Sequence, residues 1–285
     1  MSTKEEVLQN AMTELKIRGF SPLTARNYGF FINKFFIKTD KNPEDMNEQD
    51  VKNYLSEMFD TKSKNTIMLA AASLKFLYTE VLKKTFADVK MPKKDKKLPE
   101  VLDRNEVGKL IEATDTDKSR LIISLLYSSG LRVSELVNLK TADITLDQKS
   151  GWVRRGKGAK DRIFFLSEQL STDLKQYLEG KEHQFVFSKD KPLTTRNIQK
   201  IIQGARKRAG IQRRVTPHTL RHSFATHLMD NGTDIRLIQS LLGHSSLNTT
   251  QVYTHISSEQ LRKIQNPFDM LLAQQKVDEQ AKQTQ

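Results

Sequence analysis

Apolar residues recur at three- and four-residue intervals along most of this chain, with a short interruption near its middle. In the first part the spacing predicts a helix from about Val7 to Ile17. Ser21-Pro22 then reads as an N-cap followed by proline at the first helical position, opening a segment that carries Tyr28, Phe31 and Phe35. Asn47 is placed to cap a helix with Val51, Leu55, Met58 and Phe59. Ser63 is placed to cap another, with Ile67, Ala70, Ala71, Leu74, Leu77, Tyr78 and Val81. The expectation is a small four-helix unit over residues 1–88.

The texture then changes. Lys90, Lys93, Lys94, Lys96 and Lys97 alternate with Pro92 and Pro99, so proline denies the segment a helix and like charges keep it extended. Residues 89–100 therefore read as a basic linker, either simply solvated or lying along DNA phosphates. Beyond it, Asp103-Arg104-Asn105-Glu106 is an acidic variant of the capping box, and helical pattern runs through Leu121 to Tyr127 before ending at Gly130. Between Ile144 and Leu166 the pattern shortens to strand-like pieces around Trp152-Val153 and Arg162 to Leu166. Turn signals at Gly151 and Gly156-Lys157-Gly158 separate them. Helical spacing returns near residues 168–179, 195–209 and 217–231. Further on, Leu261, Ile264, Phe268 and Leu271 or Leu272 form an apolar stripe on a helix that could dock on its own domain. Residues 101–273 are thus expected to form a second domain, mixed α/β, and the Gln- and Lys-rich residues 274–285 read as an unstructured tail.

Composition narrows the partners. Lys plus Arg is 47 against 34 for Asp plus Glu, a formal charge of +13 over 285 residues, which favours a polyanion such as nucleic acid. The sequence has neither a strongly amphipathic basic helix nor an apolar anchor for a membrane surface, and no apolar run approaches the roughly 18 residues that span a bilayer. The charged start Met1-Ser2-Thr3-Lys4-Glu5-Glu6 is unlike a secretory signal, so the cytoplasm is the expected location. Zero cysteines exclude disulfides and thiolate zinc sites.

Individually, the residues that could carry chemistry have ordinary explanations. Arg132 and Glu135, three apart, could be a surface ion pair, and Lys157 an exposed turn lysine. His218 and Arg221 make a His-x-x-Arg at a helix start after Pro217. His218 and His222 have the spacing of a helical metal pair, but position 219 is Thr, where the metalloprotease motif needs Glu. His244 could cap a helix end, and Tyr253 could be any aromatic.

Their order changes the reading. Gly-Leu-Arg-Val-Ser-Glu-Leu, Gly-Lys-Gly-Ala-Lys-Asp-Arg, His-Thr-Leu-Arg-His-Ser-Phe-Ala-Thr-His-Leu, Leu-Leu-Gly-His-Ser-Ser and Thr-Thr-Gln-Val-Tyr-Thr-His follow one another. This series resembles the catalytic signature of the tyrosine recombinase (phage integrase) family over nearly all of residues 100–256, and is most similar to its Xer-type members.

The resemblance implies a mainly α fold with a small β-sheet. An N-terminal helical, SAM-like, core-binding DNA-binding domain would precede the mixed α/β catalytic domain. It implies a site-specific recombinase that cuts and rejoins double-stranded DNA through a 3′-phosphotyrosine at Tyr253. Arg132, Lys157, His218, Arg221 and His244 would complete the catalytic set, with Glu135 holding Arg132 and the linker lysines touching DNA. It further implies a homotetramer on two DNA sites, with docking of the C-terminal helix in a neighbouring protomer as the alternative to its own domain, resolution of chromosome or plasmid dimers, and no metal, nucleotide or other cofactor. The same residues leave open a phage or plasmid integrase, or a DNA-binding protein that keeps the fold without catalysis.

Overall fold

The computed structural model describes residues 3–86, 100–154, 161–243 and 264–283. The chain divides into two compact units, Met1–Lys97 and Leu98–Gln285. It is mainly helical, with one small antiparallel sheet. Among the described residues no helix is long and apolar enough to cross a membrane.

In the first unit, α1 (Lys4–Ile17), α2 (Pro22–Lys38), α3 (Glu48–Phe59) and α4 (Lys64–Phe76) begin where the sequence supplies a cap. The Ser21, Asn47 and Ser63 side chains each accept a main-chain N–H from the first helical turn they precede. A π-helical turn, Leu77–Val81, continues α4. Phe35, Ile32, Leu55, Leu74 and Leu77 meet in the centre with no measurable exposure beyond 1%. The C-terminal carbonyls of α2 face a cation: Lys4 Nζ donates to Phe36 O at 2.9 Å and Thr39 O at 2.7 Å. That places positive charge at the negative end of the helix dipole.

The second unit is built around α6 (Asp117–Ser129), buried along nearly its whole length from Leu121 onward. Against it pack α5 (Arg104–Glu112), α8 (Glu168–Leu178), α9 (Thr195–Arg208) and α10 (Pro217–Asp230), while α7 (Val133–Val137) packs on α9 and α11 (Ile235–Leu242) on α10. The sheet has strand order β1 (Ile144–Thr145), β2 (Ser150–Val153), β3 (Arg162–Phe165), with Trp152 opposite Ile163 and Val153 opposite Arg162. The Asp103 capping box at α5 forms as its sequence suggests, with Glu106 returning a hydrogen bond to the Asp103 N–H at 3.0 Å.

α10 is tied along its length to the start of this unit. Ser223 Oγ accepts Leu102 N–H at 2.9 Å and donates to Thr219 O at 3.0 Å. His227 Nδ1 lies 2.8 Å from Tyr127 Oη. Burial, then the nearby Arg104 charge, pushes His227 below the usual imidazole range. The ring and the Tyr127 hydroxyl thus share a hydrogen bond between α10 and α6.

The last helix, α12 (Pro267–Gln283), corrects one expectation. Residues 274–283, expected as unstructured tail, continue this helix. Gln, Lys, Ala and Glu are good helix formers that a reading for low complexity undervalues, and Gln275 reaches the Glu112 carboxylate on α5. In this single chain Phe268 and Leu271 are buried against the helix's own unit, with Ile264 and Leu272 packed beside them. Leu261 lies outside the described residues.

Two phenylalanines on α2 provide a direct check of the first core. Phe35 is 0% exposed and Phe30 is 55% exposed. Urea unfolding is expected to show a loss of about 3–5 kcal/mol for Phe35→Ala. Phe30→Ala should change stability by less than about 1 kcal/mol, since it opens no cavity. Similar losses for the two variants would mean that α2 buries a different face.

Candidate active site

The site begins at a turn only glycine fits. α6 ends at Gly130, whose φ of +58° is left-handed, and an added Cβ would lie 2.6 Å from Phe224 Cδ1 and 2.8 Å from Leu242 Cδ2. The chain then buries Leu131 and presents Arg132 immediately before α7. Arginine has no acceptor with which to cap a helix, so only one limb of a capping box exists here. Glu135, at the third position of α7, accepts the Arg132 main-chain N–H at 2.8 Å through Oε2.

The same carboxylate binds two guanidinium groups. Arg132 NH1 is 2.7 Å from Glu135 Oε1, and Arg162 NH2 is 2.6 Å from Glu135 Oε2. The side chains of Glu135, Arg162 and Arg132 are 6%, 10% and 20% exposed, so this is no surface pair. A third guanidinium, Arg221 on α10, is buried and donates to Gly130 O and, at 2.6 Å, to Leu242 O. Arg162 NH1 donates to Leu241 O at 2.7 Å, and Arg132 NH2 lies 3.3 Å from Gly243 O. The cations thus collect at the C-terminal carbonyls of α6 and α11, where the helix dipoles favour positive charge.

Among the described residues, three guanidiniums gather around one carboxylate that bonds two of them, an excess of two positive charges in a partly dehydrated place. Burial, then repulsion by Arg132 and Arg162, pushes Arg221 down to about 9. Burial likewise lowers Arg162, against the attraction of Glu135. Burial alone would raise the Glu135 carboxyl, but Arg162 and Arg132 outweigh it and hold it below the usual carboxylate range. Such a cluster is short of an anion, and a phosphate group supplies one in a shape that guanidinium forks match.

His218 is exposed in the first turn of α10, three residues before Arg221 and so on the same side of that helix. His222 is lowered by burial first, then by the neighbouring His218 and Arg221. Among the described residues no group of three or more His, Asp or Glu side chains could hold a metal. The structure therefore brings together Arg132, Glu135 and Arg221. Lys157, His244 and Tyr253 lie outside the described residues, as do Lys90, Lys93, Lys94, Lys96 and Lys97.

Sequence reasoning assigned no role to Arg162. Its signal is present, however: it ends the Gly-Lys-Gly-Ala-Lys-Asp-Arg block and is the one charged residue of the strand Arg-Ile-Phe-Phe. A largely buried arginine in an apolar strand needs an acidic partner. The main-chain carbonyls that hold the guanidiniums have no such signal, because every residue carries one.

Comparison with known proteins identifies the family. The sequence matches the Phage integrase family over residues 100–260 and the Phage integrase N-terminal SAM-like domain over residues 7–88. It is 38% identical over 284 residues to a protein named Tyrosine recombinase XerA from Thermococcus kodakarensis, covering 95% of this chain and 98% of that one. Among solved structures, it is similar to the XerH site-specific recombinase bound to difH substrate, with 25% identity and a TM-score of 0.67. That match covers 92% of this chain and 83% of XerH. It also shares the fold of a lambda integrase tetramer bound to a Holliday junction, at 21% identity, TM-score 0.71, and coverage of 87% and 76%.

The Glu135 pairing makes stability depend on pH with a definite sign. Its carboxyl is lower in the folded chain than in the unfolded one. Its contribution is therefore complete above the unfolded value, about 4.3, and fades as pH falls through the folded value. Glu135→Gln is expected to cost about 3 kcal/mol at pH 7, the lower end of what breaking a buried pair costs. The gap from wild type should narrow in acid. A gap that is constant with pH, measured by urea unfolding, would contradict the ion pairing.

Proposed function

The chain belongs to the phage integrase family and is a tyrosine recombinase, and from that premise we propose how its residues carry site-specific DNA strand exchange. The guanidinium cluster around Glu135 carries this reading. A phosphodiester centre repels nucleophiles, and charge shifts onto its oxygens during transfer, so fixed cations favour the transition state. Arg132 and Arg221 grip the two non-bridging oxygens. Glu135 holds Arg132 without touching DNA, and His244, which directly follows Gly243, adds a hydrogen bond to the same phosphate.

Tyr253 is the nucleophile. A free tyrosine is mostly protonated at neutral pH, with a pKa of about 10. His218, exposed near Arg221, accepts that proton as the Tyr253 oxygen bonds to phosphorus. The bond from phosphorus to the 5′ oxygen breaks, and Lys157 protonates the departing oxygen. The product is a 3′-phosphotyrosine and a free 5′ hydroxyl. Attack by the 5′ hydroxyl of a partner strand reverses each step, so the bond energy is conserved and no nucleotide is needed.

The substrate is double-stranded DNA at a specific site, and Lys90, Lys93, Lys94, Lys96 and Lys97 lie along its phosphates between domains 1–88 and 101–273. The formal charge of +13 supports that contact. Four copies act on two DNA sites, a reading supported by the likeness to a tetramer on a Holliday junction. The similarity to XerA and XerH supports Xer-type resolution of chromosome or plasmid dimers in the cytoplasm.

Covalent trapping tests the reading. With a nicked suicide duplex carrying the target site, a protein–DNA adduct is expected on denaturing gels in EDTA, and Tyr253→Phe should form none. An adduct that persists in Tyr253→Phe refutes the nucleophile, and an absolute need for metal refutes the mechanism. Lys157→Ala should slow cleavage at least about 100-fold while changing DNA affinity less than about 3-fold, because it acts only as the 5′ oxygen leaves. Equal losses in both would reduce Lys157 to a phosphate contact.

A further inference from the structure

We propose that Arg162 is a positioning residue that keeps Arg132 available to the scissile phosphate by competing with it for Glu135. This rests on the strand-transfer reading above. Left alone, an arginine and a carboxylate pair fork to fork through two parallel hydrogen bonds. Arg132 and Glu135, three apart at the start of α7, are placed to do so. They do not, because Glu135 Oε2 is occupied by Arg162 NH2 at 2.6 Å and by the Arg132 main-chain N–H at 2.8 Å. The Arg132 side chain retains only Oε1, through NH1 at 2.7 Å. Its other terminal nitrogen makes a long contact of 3.3 Å with Gly243 O, weak enough to exchange for a phosphate oxygen.

Arg162 is fixed where it can do this and little else. Its NH1 donates to Leu241 O at 2.7 Å, and its side chain is 10% exposed. Its stem lies against Gly243, where an added Cβ would come within 2.7 Å of Arg162 Cδ. It therefore spans three pieces of the site: β3, which follows the Lys157 segment, the N-terminus of α7, and the end of α11 before His244. Without it, Glu135 Oε2 would turn to the Arg132 fork and draw that cation away from substrate. Leu241 O would also lose its donor.

The test compares rates of covalent adduct formation, under single turnover, for wild type, Arg162→Gln and Arg162→Lys. Each is given a suicide duplex with either an ordinary scissile phosphodiester or a methylphosphonate, which lacks the charge that Arg132 neutralises. Arg162→Gln should be slowed about 30-fold or more on the phosphodiester, approaching the loss of one transition-state donor. Its slowing on methylphosphonate, relative to wild type, should be under about 5-fold, and DNA affinity should stay within about 3-fold. Arg162→Lys, which keeps a cation in the same space and guards against misfolding, should show the same substrate dependence with a smaller loss. If wild type does not react with methylphosphonate, the decisive measure is Arg162→Gln in an Arg132→Lys background. A lysine cannot be captured by a fork, so the second substitution should there cost less than about 3-fold on the phosphodiester. Unchanged cleavage by Arg162→Gln, or equal slowing wherever Arg132 matters and where it does not, overturns the proposal. A wild-type protein that forms no adduct on the phosphodiester instead overturns the recombinase reading beneath it.

Discussion

The second unit is organised by the sharing of one carboxylate between two guanidinium groups. Glu135 holds Arg132 and Arg162 at 2.7 and 2.6 Å, and Arg221 completes the cluster from α10. Three cations cannot be held close by one anion alone, because their mutual repulsion grows as water is excluded. Among the described residues the remaining compensation is main-chain: the carbonyls of Gly130, Leu241, Leu242 and Gly243 all accept from them. That requirement forces two helices to end facing the cluster and two glycines to take left-handed conformations, Gly130 at φ +58° and Gly243 at φ +62°.

The helix that delivers Arg221 is held correspondingly firmly. Ser223, His227 and Asn231 follow one another at four-residue intervals on or just after α10. They bind Leu102 N–H, the Tyr127 hydroxyl and the Arg104 guanidinium in turn. Asn231 also donates to Met270 Sδ on α12. A cation whose pKa is pushed down to about 9 would drift to solvent if its helix could roll, and this column of polar contacts resists rolling.

Much of this was legible in the sequence, for identifiable reasons. Helix starts at Ser21, Asn47, Ser63 and Asp103 depend on local side-chain chemistry, which a short window contains. The burial of Phe35 and Leu74 follows from periodicity. Arg132, Glu135 and Arg221 were legible only as an ordered series, since each has an ordinary explanation alone. Arg162 escaped because its partner is on another element, 27 residues away in sequence. The helical course of residues 274–283 escaped because its anchor is tertiary, Gln275 on Glu112. Long-range pairing and carbonyl positions are properties of the fold, and no local pattern encodes them.

A surplus of positive charge opposes folding through its own repulsion. A cluster neutralised at rest, with one carboxylate per guanidinium, would fold more readily and bind phosphate poorly, because DNA would have to displace an internal anion. Here the surplus is held in place by helix ends, whose partial charges are too diffuse to compete with a phosphodiester. On the strand-transfer reading proposed above, binding of a scissile phosphate would relieve repulsion already present in the free protein. The stabilisation increases further as negative charge gathers on the phosphate oxygens during transfer, so the interaction grows toward the transition state. An arrangement of this kind favours the chemical step over mere binding. It also fits the carboxylate at the centre of the cluster: Glu135 bonds the Arg132 side chain through one oxygen while Arg162 occupies the other.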